Sequence, residues 1–351
     1  MRRRLSFLAC AMAAAIALPL IPTGPASAVP TAPFSAHVWA YAPTTPSYTL
    51  PNGGYTFNGS GGTITITRGG TGRYDVRIAG QATEGGVAHA VAYGTTTRFC
   101  KVGVWYRSGP DLVVPVRCFT AQGDPVDTMF LANFTANFLT GTAAVTYLDA
   151  DWPTRSSYSP TRFFDSSGGA PVIRRVATGT YAVRLPALDD VSAAPTVHQV
   201  TAVGSTAVHC QPRGRFSTGE YHVWCQDTDG VRADQRFALT MARRADLLAM
   251  PSGRYGHAHI DGSGPSVLSA TNSGAGPVTV TRPAVGRYTV VFGGLGGAPG
   301  HSVAHIHDSG FATCGVRGWY DRGADKVVEV QCFMTQTGEP RSADVVVAFR
   351  R

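Results

Sequence analysis

The chain has 351 residues, and 30 basic against 22 acidic side chains give a net charge of +8 with histidine neutral. The charges are scattered rather than clustered, which argues against the concentrated basic surface of a nucleic-acid-binding protein. Gly, Thr, Ser, Val and Ala dominate, and long stretches with a helical apolar period are missing, so the composition predicts an all-β protein.

The first 28 residues have the pattern of a secretory signal peptide. Three arginines precede an apolar run, and Ala-Ser-Ala ends the segment, which predicts cleavage after Ala28. Cleavage would remove Cys10 and leave 27 basic against 22 acidic residues, a net charge of +5. No later stretch approaches the roughly 20 apolar residues of a membrane span. We expect a secreted protein that is released or held outside the cell by non-covalent contacts.

The rest of the chain contains three copies of one sequence pattern. The phrase Gly-x-Tyr-x-Val recurs at intervals of 107 residues, with its tyrosine at Tyr74, Tyr181 and Tyr288. Arginines precede the phrase in the same register, at Arg68, Arg175 and Arg282. A fixed period of this kind is the signature of tandem domains. We therefore predict three abutting repeats, at residues 29–139, 140–246 and 247–351.

Each repeat alternates apolar and polar residues in short runs that are separated by Gly, Pro, Asn and Asp. In the first repeat these runs include HVWAYA, TITITR, YDVRIA and VAHAVAY. Roughly eight or nine strands in about 107 residues match an immunoglobulin-like or jelly-roll β-sandwich, and the sequence does not choose between the two.

Six cysteines remain after the signal peptide, two in each repeat. Cys100 and Cys118 lie symmetrically around Gly109, and residues placed in this way face each other across an antiparallel hairpin, with Cβ atoms within about 5.5 Å. We predict three hairpin disulfides, each contributing roughly 3 kcal/mol in the chain-entropy model. They are Cys100–Cys118, Cys210–Cys225 and Cys314–Cys332. We do not predict a zinc site, because each cysteine pair lacks further ligands at metal spacing, nor redox catalysis, because the sequence has no Cys-x-x-Cys motif.

The disulfide hairpins also contain the candidate ligand-binding residues. Counting by twos from Cys100 gives an apolar face, and a tryptophan falls among charged residues on the opposite face in every repeat. The candidates are Trp105, Arg107, Arg117, Arg213, Trp224, Arg317 and Trp319. An outward tryptophan can stack on a sugar ring while a neighbouring guanidinium donates hydrogen bonds. The alternatives are that the tryptophans pack at contacts between repeats, or that a bulge reverses the two faces.

Histidines gather in the third repeat, where His257 and His259 share one strand face and His305 and His307 share another. Such pairs can chelate zinc or copper, and the alternative is that they are surface histidines on a variable strand. No acid–base or nucleophile constellation recurs among the repeats, so we expect neither an enzymatic activity nor a cofactor.

Two phrases carry a likeness to known proteins: GTGRYDV and VGRYTV, each followed by a hairpin of the pattern Cys…Trp…Gly-x-Asp…Cys-Phe. The matching hairpin residues are Cys100, Trp105, Asp111, Cys118 and Phe119, and again Cys314, Trp319, Asp325, Cys332 and Phe333. The chain after the signal peptide thus resembles a tandem β-rich module of secreted proteins from high-GC Gram-positive (actinobacterial) bacteria. The second repeat departs most, because its hairpin is shorter. The resemblance implies secretion and assigns neither an activity nor functional residues.

These observations favour a secreted, non-catalytic protein that binds an extracellular polymer or polysaccharide through weak contacts multiplied by the repeats. One alternative is a structural or spacer protein of the cell exterior without a specific ligand. A more distant alternative is a metal binder or metal-dependent enzyme that uses the histidines of the third repeat. We expect no nucleic-acid partner and no membrane span.

Overall fold

The computed structural model describes residues 34–136, 144–189, 196–213, 220–243, 245–247, 253–297, 299–307 and 311–351. The predicted signal peptide, Cys10 and the predicted boundary between residues 139 and 140 lie outside these residues. Inside them the chain consists of β-strands and turns, with one 3-10 turn at Pro186–Leu188.

The first repeat forms two sheets. Its strands are β1 (Phe34–Ala40), β2 (Ser47–Leu50), β3 (Thr56–Asn58), β4 (Ile64–Gly70), β5 (Arg73–Ile78), β6 (Val87–Ala92), β7 (Arg98–Val102), β8 (Tyr106–Ser108), β9 (Asp111–Thr120) and β10 (Phe130–Ala136). One sheet has the order β3-β1-β10-β6 and is called the inner sheet, because it faces the other repeats. The outer sheet has the order β2-β4-β5-β9-β7, and β8 pairs with β9.

The second repeat has the same plan. Its strands are β11 (Ala144–Asp149), β12 (Ser157–Tyr158), β13 (Arg162–Asp165), β14 (Val172–Ala177), β15 (Thr180–Arg184), β16 (Thr196–Ala202), β17 (His209–Pro212), β18 (Glu220–Gln226) and β19 (Phe237–Arg243). The inner sheet has the order β13-β11-β19-β16, and the outer sheet β12-β14-β15-β18-β17.

The third repeat has the same plan as the first two. Its strands are β20 (Tyr255–Ile260), β21 (Val267–Asn272), β22 (Val278–Ala284), β23 (Arg287–Phe292), β24 (His301–Ile306), β25 (Ala312–Arg322), β26 (Asp325–Met334) and β27 (Val345–Arg350). The inner sheet has the order β21-β20-β27-β24, and the outer sheet β22-β23-β26-β25.

The two sheets of each repeat enclose a common apolar core. In the first repeat Val38 on the inner sheet and Ile66 and Val76 on the outer sheet are buried in one cluster. The pairings between named strands are antiparallel, and the first strand of each repeat pairs with the last, β1 with β10, β11 with β19 and β20 with β27. The predicted all-β sandwich is confirmed, because two sheets with one apolar face each must bury those faces against each other.

The three predicted disulfides are present. Cys100 faces Cys118, Cys210 faces Cys225 and Cys314 faces Cys332 in the strand registers. The Cα atoms of each pair are 4.0–4.1 Å apart. Each bond therefore joins directly opposed residues of one hairpin, which is the geometry that the sequence symmetry predicts.

The repeated Gly-x-Tyr phrase has a structural explanation. Asp127 Oδ1 accepts hydrogen bonds from the backbone N–H of Gly72 (2.9 Å) and the hydroxyl of Tyr74 (3.0 Å), and Arg68 pairs with the same carboxylate at 2.7 Å. Burial alone would raise the pKa of Asp127, but these donors lower it overall. Asp234 receives the same three partners in the second repeat, from Gly179, Tyr181 and Arg175.

Several strands of the inner sheets are buried on both faces. Every residue of β6 and β10 is buried, in contrast to the alternation of β5. One face packs on the outer sheet of the same repeat, and the other packs on neighbouring repeats: β6 contacts β16 and β19, β16 contacts β24, and β24 contacts β1 and β10. Each repeat therefore contacts the other two through its described residues.

Hydrogen bonds join the repeats at these contacts. The amide of Gly94 donates to Val316 O at 2.9 Å, between the first and third repeats. The amide of Gly204 donates to Val102 O at 2.8 Å, between the second and first repeats. In both bonds the acceptor lies on the disulfide hairpin of one repeat and the donor follows an inner strand of the next, so the repeats contact one another head to tail.

Candidate functional site

Trp105 is not on an outward face, and this part of the sequence interpretation is wrong. Its side chain is only 1% exposed, whereas its neighbour Tyr106 is 50% exposed. The cause is one extra residue in the hairpin, because Val102 pairs with Val116 but Tyr106 pairs with Val113. A bulge of this kind reverses the faces of all side chains that follow it.

Trp105 packs instead at the contact between the first and second repeats. The guanidinium carbon of Arg162 lies 5.7 Å from the centroid of the Trp105 ring. Asp149, which is fully buried, accepts a hydrogen bond from Arg236 Nε at 2.6 Å and lies 3.7 Å from Arg162. Burial raises the pKa of Asp149 although both arginines oppose the shift. Trp105 is therefore a packing residue, which was the alternative interpretation.

Trp224 is half-buried between two arginines. The guanidinium carbons of Arg213 and Arg232 lie 3.9 Å and 3.6 Å from its ring centroid. It projects away from Cys225, as predicted, because Trp224 and Cys225 are consecutive residues of a regular strand. Two cations thus contact the indole, and cation–π contacts of this kind stabilise the hairpin of the second repeat.

The remaining predicted arginines are not brought together. Arg107 pairs with Glu84, and Arg117 Nη1 donates to Val116 O at 2.8 Å and Tyr74 O at 3.2 Å. Arg317 occupies the bulge of the third repeat. The structure therefore has no line of tryptophan and arginine side chains along the three hairpins within the described residues.

Six aromatic side chains meet where the hairpin of the third repeat contacts the first repeat. This aromatic cluster consists of Trp39, Tyr41, Tyr48, Tyr55, Tyr93 and Trp319. The Trp39 ring centroid lies 5.1 Å from Tyr93, 5.3 Å from Tyr55 and 6.2 Å from Trp319. Trp319 is 9% exposed, so its predicted outward position is also wrong, whereas Tyr41 and Tyr55 are 49% and 43% exposed. The cluster combines a buried indole with two exposed phenol rings.

Polar groups border the aromatic cluster. Burial is the main cause that raises the pKa of Tyr93, and the neighbouring Tyr55 hydroxyl and Glu329 carboxylate raise it further. Gln331 Nε2 donates to Gly94 O at 3.2 Å and to Thr96 O at 2.7 Å, which holds the loop after Tyr93 against the third repeat. The Glu329 carboxylate and the phenol hydroxyls are groups that can hydrogen-bond a polar ligand.

Sequence comparison among the repeats did not reveal this cluster, because within the described residues it exists at one contact between repeats. Trp39 and Tyr55 lie one residue beyond the paired Val38 and Thr56, and the residues at the matching positions of the second repeat are Asp149 and Arg162. The signal that the sequence did offer is the absence of aromatic residues at these two positions of the second repeat.

The histidines of the third repeat do not form one site. His257 and His307 are buried and His259 and His305 half-buried, so they are not surface residues. The His259 and His307 ring centroids are 4.3 Å apart, and His307 Nδ1 lies 3.3 Å from Nε2 of His198 in the second repeat. Across the ranges that the structure describes, no group of three or more His, Cys, Asp or Glu side chains could hold a metal ion.

A cavity of about 50 Å³ lies where the three repeats meet, and Lys101, His209 and His305 are among its lining residues. Lys101 is buried, and its Nζ donates to the carbonyls of Thr206 and Val208, both at 2.9 Å. Burial lowers the pKa of Lys101 to about 7. Pockets for small-molecule ligands have volumes of about 300–1,000 Å³, so this cavity is too small for a sugar.

Comparison with known proteins yields no match among family models, curated proteins or solved structures. No helix in the described part of the chain is long and apolar enough to cross a membrane. The resemblance to a secreted actinobacterial module therefore rests on the phrases quoted from the sequence.

Proposed function

We propose that the protein is a secreted, non-catalytic binding protein that recognises an extracellular polysaccharide through the aromatic cluster. The observation that carries the proposal is the grouping of the exposed rings of Tyr41 and Tyr55 around Trp39. Exposed apolar patches with a polar border mark interaction sites, and monomeric proteins rarely present them without a function. Tyrosine and tryptophan rings offer an apolar face to the C–H groups of a sugar and polar groups at their edges.

Two features make the aromatic cluster suitable for binding a polymer. The rings of Tyr41 and Tyr55 are exposed, so an extended polymer chain can contact both of them from solvent. The cluster is also held by two repeats, because Trp319 and Gln331 of the third repeat contact Tyr93 and its loop in the first. Rings that are already ordered lose less conformational entropy when a ligand binds. The cluster occurs once, so we do not expect the repeats to multiply affinity.

Secretion is part of the proposal. The first 28 residues have the three regions of a signal peptide, and the six cysteines that follow form disulfides, which persist in oxidising compartments. Mass spectrometry of the protein exported by a host that processes signal peptides should find an N-terminus at Val29.

The test is retention of the purified protein by insoluble cell wall, chitin and cellulose. We expect the wild-type protein to be retained on at least one polymer and Tyr41→Ala/Tyr55→Ala to lose about tenfold or more in affinity, since aromatic anchors carry most of the binding energy of an interface. Tyr106→Ala is the matched control, because Tyr106 is as exposed as Tyr41 and lies outside the cluster. Retention of the double variant equal to wild type would refute the site.

A structural protein of the cell exterior is the second candidate function. It is favoured by the direct contact of every repeat with the other two and by apolar clusters that continue across these contacts. Absence of retention on all three polymers, with wild type and double variant equally folded, would favour this candidate.

A further inference from the structure

Histidine rings lie at every contact between repeats. Between the first and third repeats, the rings of His37 and His301 stack with centroids 4.9 Å apart. Between the second and third, His198 Nε2 lies 3.3 Å from His307 Nδ1. Between the first and second, His89 bonds through both ring nitrogens, to Thr201 Oγ1 at 3.0 Å and Thr240 Oγ1 at 2.8 Å. All five of these histidines are buried.

These pairs accommodate neutral rings better than charged ones. Two imidazolium ions at the separation of His37 and His301 would repel each other in a site from which water is excluded. The contact between His198 and His307 needs one ring nitrogen without a proton, because a hydrogen bond joins one donor to one acceptor. Protonation of either pair therefore destabilises the arrangement in which the repeats are in contact, whereas in separated repeats the same histidines can be protonated without this cost.

Few charged groups face these rings. The charge of Arg350 acts on His37 and lowers its pKa, and Asp246 pairs with that arginine. Around His198 the titratable neighbours are Tyr221, His257, His259, His305 and His307. The Asp344 carboxylate lies 4.0 Å from His259 Nε2, and its backbone oxygen accepts the His307 amide at 2.7 Å. His305 faces His89. Asp246 already neutralises Arg350. Of the two carboxylates named here, Asp344 is therefore the one placed to offset the positive charge of a protonated histidine.

We propose that mild acid opens the contacts between the three repeats while the disulfide-bonded sandwiches stay folded. Protonation of the histidine pairs separates the inner sheets of different repeats. The core of each sandwich, between its own inner and outer sheets, contains none of these pairs and is therefore not opened by their protonation. The proposal does not rest on the polysaccharide site, because its observations and its test concern the chain without a ligand.

The direction of the pH effect follows from the histidine pKa values. Burial lowers the pKa of His37, His89 and His198 well below 6.5, and that of His301 to about 3. Below pH 6.5 the opened form therefore binds more protons than the closed form. The closed arrangement is favoured above this pH and loses stability progressively as the pH falls from 6.5 toward 4.

Hydrogen exchange of single amides provides the test. The amides of Gly94 and Gly204 bond between repeats, whereas those of Cys118 and Cys225 bond inside a repeat, to Gly72 O and Gly179 O. After correction for intrinsic rates, protection of the two inter-repeat amides should fall about tenfold or more between pH 7 and pH 5, with little change at the two cysteines. Small-angle scattering should show a larger radius of gyration at the lower pH.

Two outcomes would overturn the proposal in the wild-type protein alone: constant protection of Gly94 and Gly204 down to pH 4.5, or loss of protection at all four amides at the same pH.

A variant then locates the effect. His37→Gln/His301→Gln removes two titrating rings, so protection of the Gly94 amide should become nearly independent of pH. His222→Gln, on an outer-sheet strand, is the control and should behave as wild type. An unchanged pH response in the double variant would contradict the role of this pair.

Discussion

The three hairpin tryptophans show that environment, and not residue type, decides what a side chain does. Trp105 is buried against the second repeat, Trp224 lies between two arginines, and Trp319 is the buried member of an aromatic cluster. Trp105 and Trp319 occupy hairpins with similar sequences, whereas the hairpin of Trp224 is shorter. The side chains that remain available to a ligand, Tyr41 and Tyr55, lie outside those hairpins.

We predict that Trp105→Ala lowers the free energy of unfolding by about 3–5 kcal/mol, the usual cost of deleting a large buried aromatic side chain. Tyr106→Ala, one residue further, should change it by less than about 0.5 kcal/mol because this ring is half in solvent. Denaturant titration of both variants measures the difference. Equal stabilities would mean that Trp105 is not a packing residue.

At the scale of elements, the hairpins depend on glycines in two different ways. Gly72 and Gly109 have nearly the same left-handed conformation, with φ of 64° and 63°. A Cβ on Gly72 would overlap the carbonyl oxygen of Cys118, whereas a Cβ on Gly109 would meet nothing within 4 Å. Substitution by alanine would therefore strain the backbone at both positions, but only at Gly72 would the new Cβ also collide with neighbouring atoms.

This pair allows the two costs to be separated. Gly109→Ala should destabilise the protein by about 1–2 kcal/mol, which is the cost of a left-handed conformation for a residue with a Cβ. Gly72→Ala should lose a further 1–3 kcal/mol, roughly, because the strand of Cys118 must move. Thermal unfolding of both variants would test this, and a greater loss for Gly109→Ala would contradict the steric explanation.

At the scale of the molecule, the cores of the repeats are not separate. The apolar cluster of the first repeat includes Val145 and Val197 of the second and Val303 of the third. The third repeat's cluster includes Val91 and Leu131 of the first. Breaking one repeat away therefore exposes apolar surface on the others, which couples their stabilities.

We predict that the protein unfolds in a single calorimetric transition at pH 7.5, with calorimetric and van't Hoff enthalpies that agree. At pH 5 the coupling between repeats should weaken and the transition should broaden or divide. Two or three resolved transitions at pH 7.5 would show that the repeats unfold independently in spite of their contacts.

The sequence by itself determined the local architecture: the all-β class and the three hairpin disulfides. These depend on neighbours in one hairpin or one repeat, and short-range alternation and symmetry record them. Sequence did not reveal the hairpin bulges, because one extra residue such as that between Val102 and Tyr106 leaves no mark in composition yet reverses every later side chain.

Only the tertiary structure decided which residues are accessible. Lys101 satisfies every sequence criterion for an outward face, and it is buried because the second repeat covers that face. Trp105 satisfied the same criteria, but the bulge turns it to the other face, where it packs against the second repeat. The aromatic cluster and the histidine pairs likewise join residues from different repeats. Alternation within a strand distinguishes one face from the other, but it cannot tell whether the second face meets water or another sheet.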